Sequence, residues 1–285
     1  MRAFFCVVVS CVLVGWSFGP AWAEEPPAAA SAAEADSDAA VASPTAAGTA
    51  MAAMHKAAGK NKYLFALFHK EENEQLEAMR AELSKAEKEV ANRAQVVEVD
   101  ITAETEKDIV ARYDLNYAPM PLLLTIAPNG AVTAGFPGRI QAKRLKDVFV
   151  SPGTAAVLKG FQDRKLVFLC AQNAQTASSK EAMRGVRAFE RDERFAGDTE
   201  VVVVDPADKA EAQLMFDLEI DPETDQAVTV FFAPPGRCIG QFQGATKLED
   251  LVGTLAAAMS GCGSCGPGGC GSCGPGGCGP DGCEP

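Results

Sequence analysis

Hydrophobic positions along this chain change period in a fixed order, and that order occurs twice. Residues 63–69 (Tyr-Leu-Phe-Ala-Leu-Phe-His) are apolar at nearly every position, the pattern of a strand covered on both faces. Over 72–90 the period lengthens. Leu76, Met79, Leu83, Ala86 and Val90 stand three and four residues apart, which gathers them on one stripe of a helix. A second apolar strand over 96–100 follows, then a helix carrying Ile109, Val110 and Tyr113. Residues 122–126 and 131–136 alternate around Pro128-Asn129-Gly130 as a hairpin, and 140–149 is expected to close the unit as a helix.

The second half repeats the grammar. A helical patch at 154–161, like that at 51–58, precedes a strand at 166–171 and a helix over 178–191 with Met183, Val186 and Phe189 inward. A strand at 200–204, a helix holding Leu214, Met215 and Leu218, a hairpin of 227–232 and 238–242 around Pro235-Gly236, and a helix over 246–258 complete it. The letters repeat as well as the pattern, at an offset of 103 to 106 residues. Lys62-Tyr-Leu-Phe-Ala-Leu67 answers Lys165-Leu-Val-Phe-Leu-Cys170, and Val96-Val-Glu-Val-Asp100 answers Val201-Val-Val-Val-Asp205. Tyr113-Asp-Leu115 answers Phe216-Asp-Leu218, Ala127-Pro-Asn-Gly130 answers Ala233-Pro-Pro-Gly236, and Phe136-Pro-Gly138 answers Phe242-Gln-Gly244. Five blocks in one order indicate duplication. Each copy reads β-α-β-α-β-β-α after its leading helix, a parallel pair joined by a crossover helix and followed by a hairpin.

The flanks differ in composition. Arg2, the apolar run from Phe4 to Phe18 and Ala21-Trp22-Ala23 read as an export signal with its cleavage site. Val8-Val-Ser-Cys11 loosely matches a lipoprotein cleavage box, but Cys11 falls too early in the apolar run. Residues 24–50 are mostly Ala with Pro, Ser, Glu and Asp, a composition that buries little and is expected to stay disordered. The expected layout is a signal peptide over 1–23, a disordered linker over 24–50, α/β domains over 51–150 and 151–260, and a tail over 261–285. Export to the periplasm or medium follows from the signal, with no stable membrane insertion after its cleavage. The net charge of −12 repels phosphate backbones and anionic lipid, which argues against nucleic-acid binding.

The order of elements, with Ala118-Pro-Met-Pro121 ahead of the hairpin and Gly138 after it, resembles the thioredoxin fold. The resemblance implies a cis-proline at Pro121, spans about residues 51–258, and makes the fold two tandem thioredoxin-like domains. It also implies a Cys-x-x-Cys at the head of the long helix, where the helix N-terminus favours a thiolate. Here the chain departs. The first copy reads His69-Lys-Glu-Glu-Asn-Glu-Gln75 and the second Ala171-Gln-Asn-Ala-Gln-Thr176, without a cysteine, and Ala227 stands where the second cis-proline would be. Both copies therefore look similar to the non-catalytic domains of protein disulfide isomerases, which bind or space.

Sulfur is concentrated elsewhere. From Gly261 to Pro285 the chain holds 11 glycines, four prolines and six cysteines. Cys262, Cys265, Cys270 and Cys273 form two C-x2-C pairs, with Cys278 and Cys283 beyond. Paired thiolates on a glycine backbone suit Zn(II) or Cu(I), so these six are candidate metal ligands. Two alternatives stay open: thiol–disulfide exchange through the pairs, with thiol pKa values near the ordinary value of about 8.5, and structural cross-linking in the envelope. A non-enzymatic protein that docks a protein partner and carries a thiophilic ion is the leading expectation. If the chain is an enzyme, it is a thiol–disulfide oxidoreductase. Cys170 reads as a core residue and Cys238 as a surface or packing residue, with a bridge between them open. His55 and His69, the two histidines, read as surface or satisfied groups, and acidic pairs such as Glu71-Glu72 and Glu87 with Glu89 as solvated helix faces.

Overall fold

The computed structural model describes residues 49–260; the signal segment, nearly all of the linker and the tail cysteines lie outside them. The described chain carries two four-stranded sheets and divides into two compact units, with the segment Thr125–Ala134 counted to the second. Among the described residues no helix is long and apolar enough to cross a membrane.

In the first unit α1 (Thr49–Ala58) leads into β1 (Tyr63–His69), α2 (Glu74–Val90) and β2 (Ala94–Asp100). β1 and β2 pair in parallel, Tyr63 beside Ala94 and His69 beside Asp100. The helix between them is the crossover, and its buried residues are Leu76, Met79, Leu83, Ala86 and Val90, the stripe that the periodicity predicts. A short α3 (Lys107–Arg112) precedes β3 (Leu122–Ile126) and β4 (Val132–Pro137), giving the sheet order β2-β1-β3-β4.

One expected element is absent. Instead of a helix over 140–149, the chain makes only a 3-10 turn at Ala142–Lys146. The buried residues there are Ile140, Leu145 and Val148. On an α-helix these three would share an arc of about 140°, so the apolar pattern admits a helix that does not form. The chain instead turns and reaches the N-cap Ser151 and Pro152 of the next helix.

The second unit runs α4 (Pro152–Gln162), β5 (Leu166–Ala171), α5 (Ser179–Arg191), β6 (Thr199–Val204), α6 (Ala212–Asp217), β7 (Val228–Ala233), β8 (Arg237–Gln243) and α7 (Leu248–Met259). Its order, β6-β5-β7-β8, repeats the first, with β5–β6 parallel and β5–β7 and β7–β8 antiparallel. Alternate residues of β5 face opposite layers. Val167, Leu169 and Ala171 join Val157 of α4 and Leu214 and Met215 of α6. Phe168 and Cys170 join Val186 and Phe189 of α5 and Leu251 and Leu255 of α7. Phe168 stacks on Phe231 with ring centroids 4.2 Å apart. A central sheet in this order, with a crossover helix and a terminal hairpin, is the thioredoxin-like fold, present twice.

The leading helix of each unit is seated on a buried glutamate. Glu106 and Glu211 are each 4 % exposed and stand 105 residues apart, within the repeat offset. Glu106 accepts from the Ala50 amide at 3.1 Å. Glu211 accepts from the Gly153 amide at 2.8 Å and from the Ser151 hydroxyl at 2.5 Å. A carboxylate at a helix N-terminus satisfies orphan amides and complements the helix dipole.

Candidate functional site

The head of α2 is where a thioredoxin-like unit would hold its dithiol. β1 delivers His69 to this point, and Asn73 caps the helix by accepting from the Leu76 amide at 2.9 Å. Around them stands a charged clasp. The Arg80 guanidinium, one to two turns into α2, donates to Glu72 Oε2 at 2.5 Å and Glu77 Oε1 at 2.6 Å, and reaches Glu98 of β2 through Nε at 3.1 Å and through Nη2. His69 Nε2 lies 3.1 Å from Glu98 Oε1. Glu72 thus belongs to a network although its side chain is 65 % exposed, and is not the freely solvated group the sequence indicates. The Arg80 hydrogen bonds hold the Glu72 carboxyl below the usual carboxylate range and push the guanidinium up.

His69, Glu72 and Glu98 bring potential ligand atoms within 4.8 Å of one another. Arg80 already binds both carboxylates, so a divalent cation would have to displace a guanidinium there. Beside the clasp, His69, Lys70, Glu71, Asn73, Met120 and Pro121 line a groove of about 210 Å³. The Met120–Pro121 bond is cis, and the Pro121 carbonyl accepts from the Gly138 amide at 2.7 Å. Gly138 has φ 70°, a left-handed geometry that favours glycine. The repeat carries the same contact: Gly244, at φ 73°, donates to the Ala227 carbonyl at 2.7 Å.

In the second unit the corresponding loop is closed by neutral hydrogen bonds. Asn173 Oδ1 accepts from the amides of Gln175 at 2.9 Å and Thr176 at 3.2 Å, and its Nδ2 donates to Asp205 at 2.8 Å. That last bond heads the causes holding the Asp205 carboxyl below its usual range. Ala177 then pairs with Gln226 in an isolated bridge, its amide donating to Asp225 at 2.7 Å while Ala227 donates to its carbonyl at 3.0 Å. Neither head of a long helix presents a thiol.

The cysteines of the described residues, Cys170 and Cys238, are both free. Cys170 is 2 % exposed, and burial pushes its thiol up to about 12. Cys238 is exposed as a residue, yet partial covering of the sulfur also pushes its thiol up. The two are not bridge partners. Cys170 lies in register with Thr229 and Cys238 with Phe232, on opposite sides of β7. Two strand spacings and three residues put their Cα atoms roughly 14 Å apart, beyond the roughly 4.4–6.8 Å that a disulfide spans. Iodoacetamide at pH 8 is therefore expected to alkylate Cys238 and leave Cys170 unmodified in the folded chain. Peptide mass mapping checks this, and rapid labelling of Cys170 would refute its assignment to the core.

Of the residues singled out from sequence, Pro121 and His69 line one groove, His55 is exposed on α1, and the six tail cysteines lie outside the described residues. Arg80 and the Glu106–Glu211 pair escape the sequence reading. A carboxylate repeated at the 105-residue offset is the signal that marks the pair.

No family model and no curated protein matches the chain. Among solved structures it is similar to human ERp44, at 12 % identity and TM-score 0.30, over 72 % of this chain and 54 % of that one. It spans about half of ERp44. The first two thioredoxin domains of Eps1p from Saccharomyces cerevisiae match at 9 % identity and TM-score 0.25, over 69 % of this chain and 92 % of theirs. The germline-specific thioredoxin Deadhead from Drosophila melanogaster matches at 17 % identity and TM-score 0.26, over 32 % of this chain and 81 % of that one.

Proposed function

We propose that this chain, a tandem of two thioredoxin-like units, is an exported, non-catalytic binding protein whose six tail cysteines hold or hand over a soft metal ion. One observation carries the reading: both places where the fold would present a dithiol are closed without sulfur, by the Arg80 clasp and by the Asn173 loop. Cys170 and Cys238, the thiols of the described residues, are both pushed toward the protonated form, which is a poor nucleophile and a poor ligand. Thiol chemistry therefore falls to Cys262, Cys265, Cys270, Cys273, Cys278 and Cys283.

The donor set fits a thiophilic ion. Two C-x2-C pairs supply four thiolates, enough for a tetrahedral zinc site or for lower-coordinate copper(I), and two further cysteines leave room for a second ion. The folded units serve as the docking body for a protein partner.

Native mass spectrometry of the reduced full chain, loaded with zinc or copper(I), is expected to show at least one tightly held ion per chain. Replacing the six tail cysteines with serine should remove it. Metal retained by the six-serine variant, or no stoichiometric metal in the parent, would refute the assignment. Insulin reduction that disappears in the six-serine variant would move the function to thiol–disulfide exchange.

A further inference from the structure

We infer that the second unit carries a docking groove for a cationic, apolar-anchored peptide segment of another protein, where α6 meets the loop leading to β7. This rests on reading the unit as a binding module. A cavity of about 600 Å³ opens there, lined by Ala212, Phe216, Glu219, Ile220, Asp221 and Pro222. Phe216 is 77 % exposed. The structurally equivalent position in the first unit, the fifth residue of α3, is Ala111, also exposed. At one position of a duplicated fold the first unit carries a methyl group and the second displays an aromatic ring, and a displayed aromatic beside an apolar hollow is a surface suited to a partner.

The charge around the hollow selects the occupant. Asp217, Glu219, Asp221, Glu223 and Asp225 occupy alternate positions, all exposed. None of the five has an ion-pair partner among the described residues. The equivalent stretch of the first unit, Arg112 to Met120, is one residue shorter than Asp217 to Gln226 and holds a single acid, Asp114.

The carboxylates do not converge. The metal-competent trio among the described residues is His69, Glu72 and Glu98 in the first unit, so no three of these five bring oxygens within 4.8 Å. A row of separated carboxylates suits a row of separated cations better than one ion. An extended peptide with Lys or Arg at every second position repeats at about 6.6 Å on one face, with its alternate apolar side chains free to enter the hollow beside Phe216.

The chain's own undescribed segments do not fit; residues 1–23 carry a single base, Arg2, too few for a row of cations. Residues 24–48 carry five acids and no base, and residues 261–285 carry Asp281 and Glu284 and no base. A second copy, at net charge −12, is repelled as well. A basic partner is left.

Fluorescence anisotropy of the full chain with a dye-labelled nine-residue peptide alternating lysine with leucine tests this. Phe216→Ala is expected to weaken binding by about fivefold. Combined Asp217→Asn, Glu219→Gln and Asp221→Asn should weaken it by about tenfold and flatten its salt dependence. A control with the same charge change elsewhere, Glu74→Gln with Glu87→Gln and Asp108→Asn, should weaken it less than about twofold. Thermal melts confirm that the variants stay folded, as exposed substitutions should. Equal loss in the control would reduce the effect to the overall field and overturn the proposal. So would no binding by the parent, unchanged binding by Phe216→Ala, or displacement of the peptide by stoichiometric calcium. The six-serine tail variant should bind the peptide as the parent does, and failure there would place the peptide on the tail. Metal binding thus judges the tail, and peptide binding judges the groove.

Discussion

Gly185→Ala is expected to destabilise the second unit by about 3 kcal/mol, against the usual sign for such a change. In an open helix interior alanine is preferred over glycine by about 1 kcal/mol. Gly185, however, is the point where α5 meets the chain entering α7. A Cβ built there falls 1.9 Å from the Thr246 carbonyl oxygen, 2.7 Å from its carbon and 3.3 Å from the Lys247 Cα. All three are backbone atoms, so no side-chain rotation relieves the overlap. Either α5 lifts from the layer holding Val186 and Phe189, or the start of α7 moves. Gly253→Ala supplies the control, because its Cβ meets nothing within 4 Å, and should stabilise by about 0.5–1 kcal/mol. Urea unfolding followed by far-ultraviolet circular dichroism of both variants reads the two signs. Parallel behaviour of the pair would refute the close crossing.

Glu211→Ala is expected to cost about 3 kcal/mol, as a buried amide and a part-buried hydroxyl lose their acceptor and a void opens. The Gly153 amide and the Ser151 hydroxyl both point at this carboxylate. A Cβ on Gly153 would stand 2.6 Å from Glu211 Oε2 and 2.7 Å from a Val204 methyl, so the space is filled from both sides. Glu211→Gln keeps the volume and one acceptor oxygen, and should lose only about 1–2 kcal/mol. The same unfolding measurement checks the ranking. A neutral Glu211→Ala would mean that water replaces the carboxylate and that the helix seat is not structural.

The parts of the fold legible in the sequence are those where burial imposes a period. β1 and β5 are covered on both faces and read as unbroken apolar runs, and α2 buries one stripe at helical spacing. The cis bond at Pro121 was approachable because Ala118-Pro-Met-Pro121 precedes a strand. The segment 140–149 misleads because Ile140, Leu145 and Val148 would share one helix face, yet they anchor a 3-10 turn just ahead of the next helix. The site was legible only as an absence of cysteine. The clasp draws its charges from the turn before α2 (Glu72), α2 itself (Glu77, Arg80) and β2 (Glu98), and no linear window shows that they meet. Phe216 has the same difficulty. Its letter fits a core helix and its sequence block aligns it with Tyr113, but the helices superpose it on exposed Ala111, and Leu218 takes the place of Tyr113.

The clasp at the head of α2 limits any attempt to install a reactive dithiol there. Grafting a Cys-x-x-Cys onto residues 70–73 would set the new sulfur before three carboxylates and a single guanidinium. Negative surroundings raise a thiol pKa and suppress the thiolate, cancelling the help of the helix N-terminus. A reactive thiolate there would require rewriting Glu72, Glu77 and Glu98 together with the two cysteines. The electrostatics of the first unit thus oppose a reactive thiolate at this position, several substitutions away from an arrangement that would favour one.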